Sequence, residues 1–424
     1  MPVKIIKKSV PVDLNDVSSV KQKVADILSE IRTKRHAALL EFCKQFDRFE
    51  RKDLKVSKDE IKEAYNAVSP DIIEDLKFAA KRIEKFAVLQ KESITPMEKE
   101  VSPGVILGHR IIPASSCGAY VPGGRYPLPS SALMSIIPAR VAGVKRIAAC
   151  SPPSRTTGFI HPATLVAMDI AGAHEIYCMG GAQAIAALAF GTESIEPVDI
   201  IVGPGNQWVT EAKRQVSGSV GIDFLAGPSE VLIIADGTAN PEFIAADILA
   251  QSEHDPQARG ILITTDEKLA QKVMSVVEKF LRQLKTADVA AKAWENNGEI
   301  LLVDSLDEAI ALANDIAPEH LELAVSAPEK IADKLINYGS LFIGNWAAEV
   351  FGDYVSGTNH ILPTMKASRY TGGVWVGTFL KISSYQKITK EGAELLAPAA
   401  CRLAELEGLF AHRLAAEARN LTVL

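Results

Sequence analysis

Gln251 and His254 stand three residues apart in QSEHD, at the end of a stretch with helical spacing, so both fall on one helix face and could donate to one cation. Two donors make half a site, and capping a helix end is the other use of such a histidine. In APEHLEL, Glu319 and His320 lie side by side just before an apolar run. A near-neutral imidazole can take a proton from an alcohol, and a carboxylate can activate water. Alternation at a strand entrance predicts that these two side chains point to opposite sides and serve two roles. A polar pair with no catalytic part, exposed in a loop or buried, satisfies the same sequence.

Asp353 and His360 bracket a polar, aromatic and glycine-bearing stretch, GDYVSGTNH (352–360), with neither helical nor strand periodicity. That is the composition of a binding loop, and both residues are metal or substrate candidates. Glu407 and His412 lie in ELEGLFAHRLAAEARNL, whose apolar spacing predicts an amphipathic helix docked on a partner. Three glycine-bearing turns complete the set: GGAQ (180–183), GPGN (203–206) and AGPS (226–229). Such turns let backbone N–H groups approach a phosphate, and a following helix adds its dipole. Glycines that only close turns fit equally, and no GxGxxG follows a first strand.

These groups need a frame. Val17, Val20, Val24, Ile27, Leu28 and Ile31 keep helical spacing, as do Ile72, Leu76, Ala79, Ile83 and Phe86, and Ser57 with Glu60 has the spacing of a capping box. Beyond about residue 100, short apolar runs at 146–150, 175–179 and 198–202 alternate with helical stretches, which predicts a βαβαβ unit with a parallel sheet. A second series follows at 230–236, 261–265, 299–303, 321–325 and 340–344, alternating with helical stretches, among them PEKIADKLIN at 328–337. The expected fold is α/β, with two Rossmann-like parallel sheets, a helical N-terminal part and a C-terminal tail. In open sheets of this kind ligands lie outside the carboxyl ends of the strands, which is where the candidate turns are expected.

Composition excludes several classes. A chain of 424 residues exceeds one small module, and 46 basic against 52 acidic residues leave a net charge of −6, with no basic field for nucleic acid or anionic lipid. The longest uncharged run, between Glu175 and Glu193, is interrupted by Gly180 and Gly181 and falls short of the roughly 20 apolar residues of a membrane span. The first residues lack a signal-peptide core, and Cys43, Cys117, Cys150, Cys178 and Cys401 form no CxxC pair. A cytoplasmic protein with reduced thiols is expected.

In order along the chain, YVPGG (120–124), GGAQAIAALAFGTE (180–193), VGPGN (202–206), AGPSE (226–230), QSEHD (251–255), APEHLEL (317–323), GDYVSGTNHILPT (352–364) and EGLFAH (407–412) resemble the histidinol dehydrogenase family. The resemblance implies a zinc- and NAD-dependent oxidation of an amino alcohol to a carboxylate in two hydride transfers, with the aldehyde held between them. It places zinc on Gln251, His254, Asp353 and His412, the base on His320 and the water-activating carboxylate on Glu319. Substrate contacts fall on Ser130, Ser229, His360 and Glu407, joined by His320 and the four zinc positions, and NAD contacts on Tyr120, Gln183 and Asn206. It also implies a homodimer in which the tail is exchanged, so that Glu407 and His412 complete the partner's site. The expected division is a helical segment 1–119 belonging to the first α/β domain, a second domain 120–229 on the NAD side, the remainder of the first domain at 230–379 with the metal and catalytic loops, and a dimerisation tail at 380–424.

Arg125-Tyr126 and the stretch 370–377 (YTGGVWVG) look more like the sulfopropanediol dehydrogenase branch, where a guanidinium suits an anionic sulfonate, whereas Ser130, Ser229 and Glu407 fit histidinol. A contact from Arg125 to an NAD phosphate or to solvent is the other reading. From different classes, a metallohydrolase would use Glu319 and zinc without NAD, and a non-catalytic relative would use the metal only for assembly. NAD reduction separates all of them. The cysteines lie outside every matched motif, which disfavours a thiohemiacetal route.

Overall fold

In the computed structural model, residues 3–10, 17–123, 126–154 and 157–419 are described; Arg125 lies outside them. The strands are β1 (Lys4–Lys7), β2 (Met97–Ser102), β3 (Val105–Pro113), β4 (Ser116–Tyr120), β5 (Arg146–Ser151), β6 (Glu175–Cys178), β7 (Ile200–Val202), β8 (Gly221–Ile222), β9 (Glu230–Ala235), β10 (Arg259–Thr264), β11 (Glu299–Leu302), β12 (His320–Ala324), β13 (Ser340–Ile343) and β14 (Leu380–Ile388). They make a six-stranded sheet ordered β1-β11-β10-β9-β12-β13, a five-stranded sheet ordered β6-β5-β4-β7-β8, and a three-stranded sheet ordered β14-β3-β2. The five-stranded sheet is parallel throughout, and so is the larger one except for β1, which runs antiparallel to β11.

The two series of apolar runs became these two sheets because strands covered on both faces bury every side chain and need no alternation. Val231 to Ala235 and Ile261 to Ile263 are at most 1% exposed. Each such Val, Leu or Ile contributes roughly 1.5–3 kcal/mol relative to an exposed position. Ser57 closes the expected capping box, its Oγ accepting from Glu60 N–H at 3.2 Å while Glu60 Oε2 accepts from Ser57 N–H at 2.8 Å.

Three expectations changed. The helices Val17–Phe42 and Pro70–Glu92 share one apolar core with the five-stranded sheet, so only β1 of the 1–119 segment joins the larger sheet. The tail begins as a strand, because β14 pairs along nine residues with β3 before the helices Lys390–Leu406 and Phe410–Glu417. The expected helix near 328–337 shortens to Glu329–Ala332. Among the described residues no helix is long and apolar enough to cross a membrane.

The five-stranded sheet reverses its strand order between β4 and β7. There Gly203 adopts φ +117°, and a Cβ on it would lie 2.0 Å from the Tyr120 carbonyl oxygen. Gly203→Ala is therefore expected to lower the unfolding free energy by roughly 2–4 kcal/mol. Urea titration followed by fluorescence checks this; a loss below 0.5 kcal/mol, inside the usual range for a surface change, would contradict it.

Candidate active site

The centre of the site is where β9 meets β12. His320 is opposite Val231 in the register, so the residues just before that pair, Glu319 and Glu230, face each other at the amino ends of the strands. The N–H of Glu230 donates to Glu319 Oε2 at 2.8 Å, and the Glu230 carbonyl accepts from His320 Nδ1 at 3.0 Å. A carbonyl can only accept, so Nδ1 carries the proton and Nε2 presents its lone pair. That Nε2 is buried with no hydrogen-bond partner among the described residues, 3.8 Å from Asp353 Oδ1. Burial holds the His320 pKa below the ordinary imidazole value, with Asp353 opposing, which favours the neutral base.

Glu319 does not point away from His320. It lies before the first residue of β12, outside the strand alternation, and its Oε2 comes within 3.6 Å of His320 Nδ1. Both are buried, and burial pushes the Glu319 carboxyl well above the usual range. The approach to this pair is bent at Ala317, a non-glycine residue at φ +52° whose carbonyl accepts from Ser368 Oγ at 2.7 Å.

Gln251 ends the helix Pro241–Ser252 with its side chain buried, its amide 3.4 Å from Glu319 Oε2. Exchanging the amide oxygen and nitrogen gives the better network, in which nitrogen donates to Glu349 Oε1 at 2.5 Å and oxygen accepts from Glu230 N–H at 3.2 Å. His254 follows past the helix end and is exposed, close enough to act electrostatically on His320 and His360. Asp353 is buried on the short helix Glu349–Tyr354, whose first N–H, on Glu349, donates to Glu322 Oε1 at 3.0 Å. His360 Nδ1 donates to the Asp353 carbonyl at 2.9 Å, and its Nε2 therefore accepts from Ser131 Oγ at 3.1 Å. Ser130, the expected contact, is buried one residue earlier, and Ser229 offers its carbonyl to Arg259 N–H at 2.9 Å.

Sequence reasoning missed Glu349. Its Oε2 is the second buried oxygen or nitrogen of the site without a partner, and burial followed by Asp353 raises its carboxyl well above the usual range. Among the described residues, His320, Glu349 and Asp353 form the group whose donor atoms lie within 4.8 Å of one another; neither His254 nor His412 belongs to it. Glu349 falls in AAEVFGD, four residues before Asp353, and that i, i+4 spacing to a candidate ligand is the signal that could have found it. Glu407 and His412 are exposed on the tail helices, and the single chain does not bury them in this cluster. The cluster lies at the amino ends of β9 and β12, opposite to the end expected for open sheets, because Glu230 and His320 open these strands and Glu319 stands just before β12.

The other candidates gather at the carboxyl ends of the five-stranded sheet. Tyr120 closes β4 with its hydroxyl accepting from Gly181 N–H at 3.2 Å. Gln183 is buried and donates to Asp47 Oδ2 at 3.1 Å, the same oxygen that accepts from Gly180 N–H at 3.0 Å. Asn206 caps the helix Gln207–Val216, its Oδ1 accepting from Trp208 and Val209. Both turns thus bring an acceptor of their own to the helix start. Asp47 has no motif to announce it. The buried thiols of Cys43, Cys117 and Cys150 are pushed far up by desolvation, and Cys178 to about 12, which leaves no nucleophilic thiolate among them. The stretch 370–377 contributes Val374 and Val376 to the core and exposes Tyr370 and Trp375.

Two parallel sheets, with a buried acid–base cluster on one and glycine turns at the strand ends of the other, define an α/β enzyme. The family model described as histidinol dehydrogenase matches residues 12–420. The chain is 48% identical over 400 residues to the histidinol dehydrogenase homolog of Shouchella clausii, covering 94% of each. It is 47% identical over 397 residues to the histidinol dehydrogenase of Methanothermobacter thermautotrophicus, covering 94% of this chain and 92% of that one. A crystal structure of histidinol dehydrogenase from Elizabethkingia anophelis matches with a TM-score of 0.90 at 41% identity, covering 98% of both chains. The chain belongs to the histidinol dehydrogenase family and is an NAD-dependent oxidoreductase.

Asp47 gives a test that needs no substrate. Burial raises its pKa above the ordinary 3.8, so the folded state binds this proton more tightly than the unfolded state does, and stability falls as pH rises through that window. Asp47→Asn keeps an acceptor for Gly180 N–H and removes the charge, so its stability relative to the native chain should rise between pH 4 and pH 7. Asp47→Leu should lose roughly 1–3 kcal/mol by leaving two donors unpaired. Urea unfolding across that pH range reads both, and a parallel pH dependence in Asp47→Asn and the native chain would refute the assignment.

Proposed function

We propose that this protein is a zinc-dependent dehydrogenase that oxidises L-histidinol, through bound L-histidinaldehyde, to L-histidine with two NAD+. The observation that carries this reading is the neutral, buried His320, tied at Nδ1 and open at Nε2, beside a buried carboxyl. His320 Nε2 takes the hydroxyl proton as hydride leaves the adjacent carbon. Glu319, once ionised, receives a proton from the water that adds to the aldehyde, and the resulting hydrate loses the second hydride. NAD+ supplies the hydride acceptor when bound near 120–123, 180–183 and 203–206, with Tyr120, Gln183 and Asn206 as its contacts. Ser130, Ser229, His360 and the metal-site residues orient the substrate.

The buried, unpartnered Glu349 Oε2 and the neighbouring Asp353 carboxylate make an acidic pocket that fits a divalent cation, and His320 Nε2 stays free to act as the base. The residues that would hold zinc are Gln251, His254, Asp353 and, from a second copy of the chain, His412. Zinc would supply charge stabilisation at the substrate oxygen. The tail supports assembly as a homodimer, because Leu403, Leu406, Phe410 and Leu414 are 60–83% exposed, and Glu407 with His412 lies among them. Sulfopropanediol oxidation would employ the same acid–base groups on another substrate.

Reduced-nicotinamide formation per substrate consumed, with L-histidinol and sulfopropanediol side by side, is the direct assay. Two equivalents from histidinol, abolished by a chelator and restored by zinc, are expected; turnover of the sulfonate alone would transfer the protein to the other branch. His320→Ala should reduce kcat by about 10²–10⁴-fold while zinc content stays at the native level. Equal loss of activity and zinc would move His320 into the metal's coordination.

A further inference from the structure

The chain buries a second pair of opposite charges far from His320. Lys213 and Asp223, with side chains 4% and 1% exposed, form an ion pair beside the turn at 203–206. Buried pairs of this kind add little stability over apolar residues of similar volume, so their geometry is informative. Here both partners hold the main chain of one residue, gripping the peptide groups on either side of Gly203. Lys213 Nζ donates to the Gly203 carbonyl at 2.9 Å, and Asp223 Oδ2 accepts from the Gly203 N–H at 2.9 Å. Asp223 Oδ1 also accepts from Phe224 N–H at 2.8 Å. Gly203 is the residue at φ +117° packed against the Tyr120 carbonyl, at the point where strand order reverses between β4 and β7. In open α/β sheets the crevice at such a reversal receives the ligand.

The pair also anchors the segment that leaves β8 for β9. Asp223 begins it, Thr210 Oγ1 on the helix carrying Lys213 donates to the Ala226 carbonyl at 3.0 Å, and Gly227 N–H donates to Thr364 Oγ1 at 2.6 Å. Three residues beyond Gly227 stands Glu230, whose main chain holds Glu319 and His320.

We propose that Lys213 and Asp223 are positioning residues that set the turn 203–206 in the conformation that receives the dinucleotide. This rests on the NAD+ reading above. The pair touches neither the acid–base cluster nor the expected substrate contacts, so its effect falls on NAD+ and spares the alcohol.

Three variants test it: Asp223→Asn, which keeps an acceptor for Gly203 N–H; Asp223→Ala, which does not; and the double variant Lys213→Met/Asp223→Leu, which fills the volume without an unpaired charge and so preserves the fold. In Asp223→Ala and the double variant, KM for NAD+ should rise about tenfold or more, with kcat at saturating NAD+ and KM for the alcohol within about threefold of native. Amide exchange over 203–209 should accelerate in the same two variants, and Asp223→Asn should recover most of both properties. A folded double variant with native KM for NAD+ and native exchange over 203–209 overturns the inference and leaves the catalytic reading standing. Native protein that neither binds nor reduces NAD+ overturns the catalytic reading, and this role of the turn with it.

Discussion

The main chain of one residue, Glu230, sets both candidate catalytic side chains: its N–H fixes the Glu319 carboxyl, and its carbonyl fixes the tautomer of His320. Nothing in the side chain of Glu230 is needed for this. The requirement is that β9 and β12 be neighbours in the register that puts Val231 opposite His320, and the apolar residues of both strands enforce that register. Slippage by one residue would turn His320 to the other face and place Leu321 in the cluster. The sheet core and the acid–base geometry are thus one constraint seen from two sides.

The electrostatics around that residue are costly for an empty protein interior. Glu319, Glu349 and Asp353 surround one imidazole, and behind them burial raises Glu322 strongly and Asp247 to about 6. Carboxylates this close in a poorly hydrated region cannot all be ionised without a counter-charge. Protons or a divalent cation resolve the conflict, and Glu349 Oε2 is left without a partner among the described residues. The other half of the molecule solves its charge problem differently, by closing Lys213 and Asp223 onto the main chain of Gly203.

How much of this was readable in the residue string follows from the range of the interactions. Parallel strands and their helices announce themselves by local apolar runs, and all five runs of the second series coincide with β9 to β13. The family motifs brought Gln251, Glu319, His320 and Asp353 into consideration, and the fold brings them together. Asp47 and Ser131 were silent because their partners lie 133 and 229 positions away, and Lys213 because its contact with Gly203, 10 positions back, matches no motif; Glu349 shares a short helix with Asp353 but meets His320 only through the fold. The direction of Glu319 was misread for a local reason: strand alternation begins at His320, one residue too late to govern it. The third sheet escaped because β2 and β14 are mostly exposed and polar enough to read as connecting chain, although β3 between them, VILGHRIIP, is an apolar run with half-buried positions.

The order of the strands in the larger sheet has a kinetic side. β9, β10 and β11 are consecutive in the chain and pair with one another, so this half can zip up by successive short crossovers as the polypeptide emerges. β12 must then return past two strands to the exposed edge of β9, and only this last long-range closure brings Glu319 and His320 to the waiting main chain of Glu230. A nascent chain ending just past β11 would hold four of the six strands of this sheet and still lack Glu319, His320, Glu349 and Asp353. The cluster around His320 is accordingly among the last features to form during synthesis, and an edge strand, β9, stays open for pairing until it does.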